Sequence, residues 1–243
     1  MEENKRMLVV SAHALDFLWR AGGTMAHYAR LGWDVKVLCL TFGESGESDS
    51  LWENNPGITE EEVKALRKVE ATEAAKELGC SSIDFYDWSD HLLEIDRPKI
   101  ERIAKVIKEF RPSIILTQHS CDTLNFDHPN TCNAVLEAVR MARVAGVFPE
   151  YKKLPFPSVF MYDPSQPEFL NFKPDVFIDI TEDMDAKTAA MQVALKSQAY
   201  LIDNYNVRAI YRGMNAKMFS GNKNVKYAEA FQRFRPYVGK EFH

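Results

Sequence analysis

Short apolar runs that alternate with segments of helical spacing constrain the fold of this chain more than any other feature. The first run covers residues 7–10, and the segment after it begins a helix near Asp16. Further apolar runs lie at residues 35–40, 83–86 and 113–117. Strands that alternate with helices predict a mostly parallel sheet with helices on both faces. We therefore expect an α/β fold with a doubly wound, Rossmann-like sheet.

Helix-terminal signals and a less regular second half complete the predicted organisation. Thr59, followed by three glutamates, indicates a helix N-terminus, and Pro98 indicates another. The second half adds, in chain order, a helix over residues 129–145, strands over 159–162 and 176–180, and a long helix from the 181–183 segment through Ile202. No internal repeat or linker interrupts the 243 residues, so we expect one domain over residues 1–243.

Composition and charge exclude several functional classes. The formal net charge is −5, which argues against nucleic acid or an acidic membrane as the main partner. No apolar run approaches the roughly 20 residues needed to cross a bilayer, and the polar N-terminus does not resemble a signal peptide. The four cysteines lack CxxC spacing, as expected of reduced thiols. We therefore expect a cytoplasmic protein with no nucleic-acid and no membrane partner.

His13 and Asp16 lie in the predicted turn that leaves the first strand. Ligand and metal sites in open α/β sheets collect at the carboxyl ends of the strands. Imidazole with carboxylate is a common ligand pair for a divalent metal such as zinc. Asp16 could instead be only the N-cap of the helix, with His13 a plain turn residue. This stretch alone leaves both interpretations open.

A second loop, residues 117–131, follows the fourth predicted strand and contains Asp127 and His128. His128, at the start of a helix, completes a set of two histidines and one carboxylate with His13 and Asp16. Three protein ligands leave one coordination position open, which is typical of catalytic rather than structural zinc. Iron or manganese would accept the same ligands.

Three motifs resemble the PIG-L/LmbE superfamily of zinc-dependent N-deacetylases. They are Ser-Ala-His-x-x-Asp at residues 11–16, an Arg-x-x-Glu run that begins at Arg67, and Asn-x-Asp-His at residues 125–128. The resemblance extends over nearly the whole chain and implies the Rossmann-like fold of this superfamily. It also implies that the two histidines and the aspartate named above hold zinc.

The same resemblance assigns supporting roles and exposes one departure. Asp127 would orient His128 or the water at the metal, and Arg67 would face the substrate. Leu15 stands where the family deacetylases have the acid that serves as general base. Leucine cannot accept a proton, and loss of a general base costs about 10²–10⁴-fold in rate. We therefore do not expect an ordinary sugar N-deacetylase.

Longer runs resemble one subgroup of this superfamily, the 4-oxalomesaconate (4-carboxy-2-hydroxymuconate) hydratases of bacterial aromatic-compound breakdown. These runs are residues 12–23, 42–48 and 228–232. The resemblance implies zinc-dependent addition of water to a C=C bond of an unsaturated polycarboxylic keto acid. It also implies a small carboxylated substrate and assembly into a homo-oligomer. A metal can stabilise the negative charge on the keto oxygen while water adds to the far carbon.

Two glutamates in the loop after the second predicted strand are candidates for the proton transfer that this reaction needs. Glu47 is our first choice and Glu44 the second, because their loop leaves a strand next to the metal loop. Either could instead be a solvated loop residue.

Cationic and polar side chains are expected to hold the carboxylated substrate. Arg20 and Arg67 could supply bidentate contacts, or either could be a surface arginine, and Arg212 is a further candidate. Asn125 and Ser165 are also expected contacts. The hydratase group has a histidine in place of Ser165, and serine is a poor acid or base without an activating partner. The identities of the general acid and of the substrate therefore stay open.

Two other functions remain as alternatives. One is an N-deacetylase or amidase with a substitute general base, which release of acetate would identify. The other is a metal- and ligand-binding protein without catalysis, which would bind a carboxylate and form no product.

Overall fold

One seven-stranded sheet organises the part of the chain that the structure, a computed structural model, describes, namely residues 5–122 and 124–239. The strands, in chain order, are β1 (Arg6–Ser11), β2 (Asp34–Cys39), β3 (Ser82–Phe85), β4 (Ile114–Thr117), β5 (Ser158–Tyr162), β6 (Val176–Asp179) and β7 (Ala228–Arg233). Their order in the sheet is β3-β2-β1-β4-β5-β7-β6. The first five strands pair in parallel. The predicted α/β fold with a mostly parallel sheet is confirmed.

Helices cover both faces of this sheet. In chain order they are α1 (Asp16–Arg30), α2 (Asp49–Asn54), α3 (Glu60–Glu77), α4 (Arg97–Phe110), α5 (Asp127–Arg143), α6 (Met184–Val193), α7 (Leu195–Gln198) and α8 (Ile202–Ser220). Met7 and Val9 of β1 pack with α1, α3 and α6, whereas Leu8 and Val10 pack with α4 and α5. Burial on both faces is typical of a central parallel strand. Within the described residues, no helix is both long and apolar enough to span a bilayer.

Two predicted helix starts agree with the structure. The Thr59 side chain accepts a hydrogen bond from the backbone of Glu62, whose carboxylate accepts one from the backbone of Thr59. Asp96 caps α4, and Pro98 lies in the first turn of that helix. Local capping chemistry therefore fixes where α3 and α4 begin.

The prediction of one long helix from residues 181–183 through Ile202 is wrong. The chain instead forms α6, α7 and a 3-10 turn before α8, and the sequence pattern predicts neither α8 nor the short α2. Gln198 leaves the helical region with φ −138° and ψ 34°. Its side chain forms hydrogen bonds with Trp19 and Glu47. Apolar spacing cannot reveal such tertiary hydrogen bonds, which here replace the continued helix.

Strand β7, which lies antiparallel between β5 and β6, is not predicted by the sequence pattern. Its alanines and glutamate have low β propensity, and Glu229 in the strand is buried. The Glu229 carboxylate accepts hydrogen bonds from Nζ of Lys187 (2.7 Å) and from the backbone N–H groups of Gly23 and Thr24. Lys187 also donates to the carbonyl of Trp19 at 3.0 Å. This ion pair ties β7 and α6 to the middle of α1.

Asp183 precedes α6, but its side chain does not cap that helix. It instead pairs with Nε of Arg30 at 2.8 Å and with Nδ1 of His27 at 3.0 Å, both on α1. Burial opposes ionisation of Asp183, yet hydrogen bonds from Arg30 and His27 hold its pKa below the usual range. Asp183 therefore links two helices on the same face of the sheet.

We expect Asp183→Asn to lower the free energy of unfolding by about 1–2 kcal/mol at pH 7, because charge-assisted hydrogen bonds to a half-exposed arginine are lost. A carboxyl group with a lower pKa in the folded state stabilises the fold above about pH 4. This contribution disappears as the pH falls through the folded pKa, so urea unfolding of variant and wild type should converge at low pH. Glu182→Gln, which alters an exposed partner of Arg30, is the control. A loss that does not depend on pH would contradict the assignment.

Candidate metal centre and adjoining cavity

Two loops bring His13, Asp16 and His128 together at one edge of the sheet. β1 and β4 are parallel neighbours, so their carboxyl ends meet at that edge. His13 follows β1, Asp16 is the first residue of α1, and His128 lies in the first turn of α5. One potential ligand atom from each residue lies within 4.8 Å of the others, and all three residues are buried. This arrangement could hold a metal ion.

A carboxylate fixes each imidazole through the nitrogen that does not face Asp16. Oδ2 of Asp127 lies 3.1 Å from Nε2 of His13, and Oδ2 of Asp122 lies 2.8 Å from Nδ1 of His128. The other nitrogens, Nδ1 of His13 and Nε2 of His128, lie 3.1 and 3.4 Å from the carboxylate oxygens of Asp16. Histidines that bind metals are commonly held by carboxylates in this way.

The structure corrects one of the two roles expected of Asp127, the orientation of His128. Asp127 contacts His13, and Asp122, which no sequence motif indicates, contacts His128. The Asp127 carboxylate also accepts hydrogen bonds from the backbone N–H groups of residues 91–93. Burial opposes its ionisation, but the bonds from His13 and from these N–H groups lower the pKa of Asp127 to about 2. A carboxylate anchored in this way is suited to positioning a histidine.

Two features of the cluster fit a divalent cation. Nε2 of His128 is buried and makes no hydrogen bond in the described part of the chain, although it lies 3.4 Å from the carboxylate of Asp16, so its lone pair is available to a metal ion. Burial alone would lower the pKa values of His13 and His128, but Asp16 and the neighbouring acids raise both. The carboxylates therefore favour positive charge at this place. Two imidazoles and one carboxylate form a donor set that zinc uses.

Asp16 itself is held by bonds that turn it toward the histidines. Leu15, and not Asp16, occupies the N-cap position of α1, and Asp16 is the first residue of that helix. Oδ2 of Asp16 instead accepts hydrogen bonds from the backbone N–H of His13 (2.9 Å) and from the side-chain amide of Gln118 (2.6 Å). The hydroxyl of Tyr162 donates to Gln118 in turn, at 2.6 Å. The alternative in which Asp16 is only a helix cap is not supported.

Of the two candidate glutamates, only Glu47 approaches this cluster. Its Oε1 lies 3.8 Å from Nδ1 of His13. Asn125 and Gln198 each donate a hydrogen bond of 2.9 Å to its carboxylate. The side chain of Glu47 keeps 20% exposure and lines the adjoining cavity. Glu44 is buried and is not part of the cavity wall, and its burial raises its pKa.

A cavity of about 580 Å³ adjoins the cluster, and Asp16 and Glu47 are part of its wall. Arg20 and Ser165, two expected substrate contacts, also line it. Nη2 of Arg20 donates to the hydroxyl of Ser165 at 3.1 Å. Another part of the wall comes from α8, which contributes two further arginines. The cavity therefore combines a metal-binding geometry with several cationic side chains.

Arg67 does not reach this cavity. Its side chain is fully buried and donates to the carbonyl of Phe42 at 3.1 Å and to the hydroxyl of Ser197 at 2.8 Å. Phe42 begins the loop that carries Glu47, and Ser197 precedes Gln198. The structure thus places Arg67 behind the residues that hold Glu47, and not against the space where a substrate would bind.

We expect Asp122→Asn to weaken metal binding about 10- to 100-fold, because the carboxylate that orients His128 is lost. Titration of the apoprotein with metal against a competing chelator measures this affinity. Glu137→Gln, which removes an exposed acid from the same helix as His128, should leave it unchanged. An unaltered affinity in Asp122→Asn would count against His128 as a ligand or against Asp122 as its support.

Comparison with known proteins identifies the family. The family profile of PIG-L, described as GlcNAc-PI de-N-acetylase, matches residues 8–139. This chain belongs to the PIG-L family. A 4-oxalmesaconate hydratase of Pseudomonas putida is 39% identical over 237 residues, which cover 96% of this chain and 91% of that protein.

A solved structure and a further sequence relative are also similar to this PIG-L family chain. The crystal structure of GalB, the 4-carboxy-2-hydroxymuconate hydratase from Pseudomonas putida KT2440, matches with a TM-score of 0.94 and 38% identity and covers 98% of this chain and 100% of that chain. The diacetylchitobiose deacetylase of Thermococcus kodakarensis is 27% identical over 193 residues, or 77% of this chain and 68% of that protein. The predicted resemblance to the superfamily and to its hydratase subgroup is confirmed.

Proposed function

We propose that this protein is a metal-dependent hydratase that adds water to the C=C bond of an unsaturated polycarboxylic oxo acid such as 4-oxalomesaconate. The observation that carries the proposal is the position of Glu47, a partly exposed carboxylate on the cavity wall, 3.8 Å from Nδ1 of His13. The names of the two Pseudomonas relatives support the same reaction and substrate class.

The reaction needs a base that takes a proton from water, and Glu47 has this role in the proposal. Amide groups of Asn125 and Gln198 hold its two oxygens. As Glu47 removes the proton, the water oxygen bonds to the alkene carbon farther from the oxo group, and the electron pair of the C=C bond moves toward the oxo oxygen. The carbon next to the oxo group then takes up a proton from solvent, and Glu47 releases the proton that it removed to solvent. One water is added, and no group is oxidised or reduced.

His13, Asp16 and His128 would hold the metal, and a bound divalent metal supplies a Lewis acid for the negative charge on the oxo oxygen. We propose zinc, because two imidazoles and one carboxylate suit it. Elemental analysis of protein purified without added metal tests this choice. The cytoplasmic location, the homo-oligomeric state and the single domain over residues 1–243 stay predictions.

N-deacetylation is the reaction against which hydration has to be tested, since deacetylases occur among the relatives. Leu15 is fully buried in the apolar core beside α1. No carboxylate is therefore available at the position of the usual deacetylase base. This observation favours hydration over amide hydrolysis.

Turnover of a conjugated oxo acid tests the proposed function. Zinc-loaded protein should remove the ultraviolet absorbance of 4-oxalomesaconate, and mass spectrometry should show a product that has gained one water. The same preparation should release no acetate from N-acetylated sugars or amines. Acetate release without hydration would identify a deacetylase. Binding of the acid without any product would indicate a protein that only binds its ligand.

A further inference from the structure

Three arginines line the cavity, and they differ in how their charge is balanced. Nε of Arg20 lies 3.6 Å from Asp16, and its Nη1 lies 3.7 Å from Asp122. Arg212 forms a two-pronged pair with Asp163, at 2.7 and 2.8 Å. Acidic side chains of the protein therefore already face both of these guanidinium groups.

Arg208 on α8 is the third arginine, and no carboxylate of the described residues forms an ion pair with it. Its Nη1 and Nη2 donate to the backbone carbonyls of Pro164 (2.9 Å) and Ser165 (2.8 Å). Its guanidinium lies over the ring of Tyr205, 5.0 Å from the centroid. Carbonyl dipoles and an aromatic ring do not cancel a full positive charge. The Arg208 guanidinium is thus fixed in the cavity wall, and no carboxylate of the described residues neutralises its charge.

The hydrogen-bonding capacity of Arg208 is also only partly used. A guanidinium has five N–H donors, of which the two carbonyls take one each, so three remain. The planar group binds a carboxylate through two parallel hydrogen bonds. The carbonyl contacts and the tyrosine ring already restrict its rotation, so little side-chain freedom would be lost on binding an anion.

We propose that Arg208 binds a carboxylate of the substrate, other than the group held at the candidate metal centre, and so selects for acids that carry a second carboxylate. This inference rests on the proposed hydratase function and names a specificity-determining residue for it. Arg20 and Arg212 do not serve equally well, because Asp16, Asp122 and Asp163 already balance their charges.

One loop connects Arg208 to the candidate metal centre. Ser165, whose carbonyl Arg208 contacts, donates its backbone N–H (2.8 Å) and its hydroxyl (2.9 Å) to Oδ2 of Asp122. The same oxygen of Asp122 fixes His128. The distance between the Arg208 guanidinium and the candidate metal centre is therefore fixed before any substrate binds. Such preorganisation favours affinity. The hydroxyl of Ser165, committed to Asp122, is a positioning group in this arrangement.

A matched pair of unreactive acids tests the inference. 2-Oxoglutarate and 2-oxopentanoate share a 2-oxo-acid end, and only the first has a distal carboxylate. Neither contains the C=C bond that hydration requires. Isothermal titration calorimetry with metal-loaded protein compares wild type with Arg208→Met and Arg208→Lys. Lys217→Met, at an exposed position of the same helix outside the cavity, is the matched control.

We expect wild type to bind 2-oxoglutarate about 10- to 100-fold more tightly than 2-oxopentanoate, as a charge-assisted bidentate contact would produce. Arg208→Met should abolish this preference and leave the affinity for 2-oxopentanoate unchanged. Arg208→Lys keeps the charge without the planar fork and should retain a preference of about threefold to tenfold. Lys217→Met should behave as wild type.

Three results would overturn the inference. The first is a preference for 2-oxoglutarate that survives in Arg208→Met. The second is an equal loss of affinity for both acids in that variant. The third is a wild type that binds both acids with equal affinity or binds neither. These measurements involve no turnover and therefore separate the two proposals. If the protein prefers 2-oxoglutarate through Arg208 but hydrates no oxo acid, carboxylate binding by Arg208 is supported and the hydratase function is refuted. If the protein hydrates the oxo acid but lacks this preference, the hydratase function is supported and carboxylate binding by Arg208 is refuted.

Discussion

Glu47→Gln is expected to lower kcat for hydration about 10²–10⁴-fold, because glutamine cannot accept a proton from water. Glutamine has nearly the same shape, and Asn125 and Gln198 still surround it. The rate of absorbance loss of the conjugated acid measures the effect. Elemental analysis should show that the variant binds as much metal as wild type, since Glu47 is not one of the three expected ligands.

Glu44→Gln is the matched control for this experiment. Glu44 belongs to the same loop but lies outside the cavity wall, so the rate should stay within about threefold of wild type. A large loss in Glu44→Gln with an active Glu47→Gln would reverse the two assignments. Loss of metal together with activity in Glu47→Gln would identify Glu47 as a ligand and not as the base.

Lys187→Met is expected to lower the free energy of unfolding by about 3–5 kcal/mol, because the buried carboxylate of Glu229 loses its charged partner. The two side chains meet at 2.7 Å and are both almost fully buried. The substitution also removes the hydrogen bond that Nζ of Lys187 donates to the carbonyl of Trp19. Urea unfolding followed by circular dichroism measures the change.

An exposed ion pair provides the comparison for Lys187→Met. Arg140 and Glu137 form a surface pair at 3.0 Å, with side chains 73% and 53% exposed. Arg140→Met should cost less than about 1 kcal/mol, since solvent screens such pairs. Similar small losses in both variants would mean that Glu229 is stabilised by its backbone contacts alone.

The parts of the site that sequence reasoning predicted are those that strand topology brings together. His13 and Asp16 lie in one turn after β1, and His128 follows β4. These strands are parallel neighbours, so the residues that follow them meet at one edge of the sheet. The loop with Glu47 follows β2, which also pairs with β1 in parallel. Local patterns and a simple packing rule were therefore sufficient for this much.

Which side chains contact one another could not be predicted in this way. Asp122 and Asp127 both lie within six residues of His128, and no spacing rule says which of them contacts it. Arg67 looks like a substrate contact in a motif, yet its hydrogen bonds go to another loop and another helix. Arg208 lies on a helix that apolar spacing did not predict. Each of these contacts depends on how separate elements pack against one another, which residue spacing alone does not describe.

The contact of Glu229 with α1 makes the reaction site depend on a late segment of the chain. Every residue of the cavity wall precedes β7, the last of them being Arg212. Asp16 and Arg20 nevertheless lie on the helix whose middle Glu229 holds. A polypeptide shortened by proteolysis before residue 228 would keep every wall residue and still lose the strand that anchors α1. We therefore expect the cavity to keep its geometry only when β7 is present in the sheet.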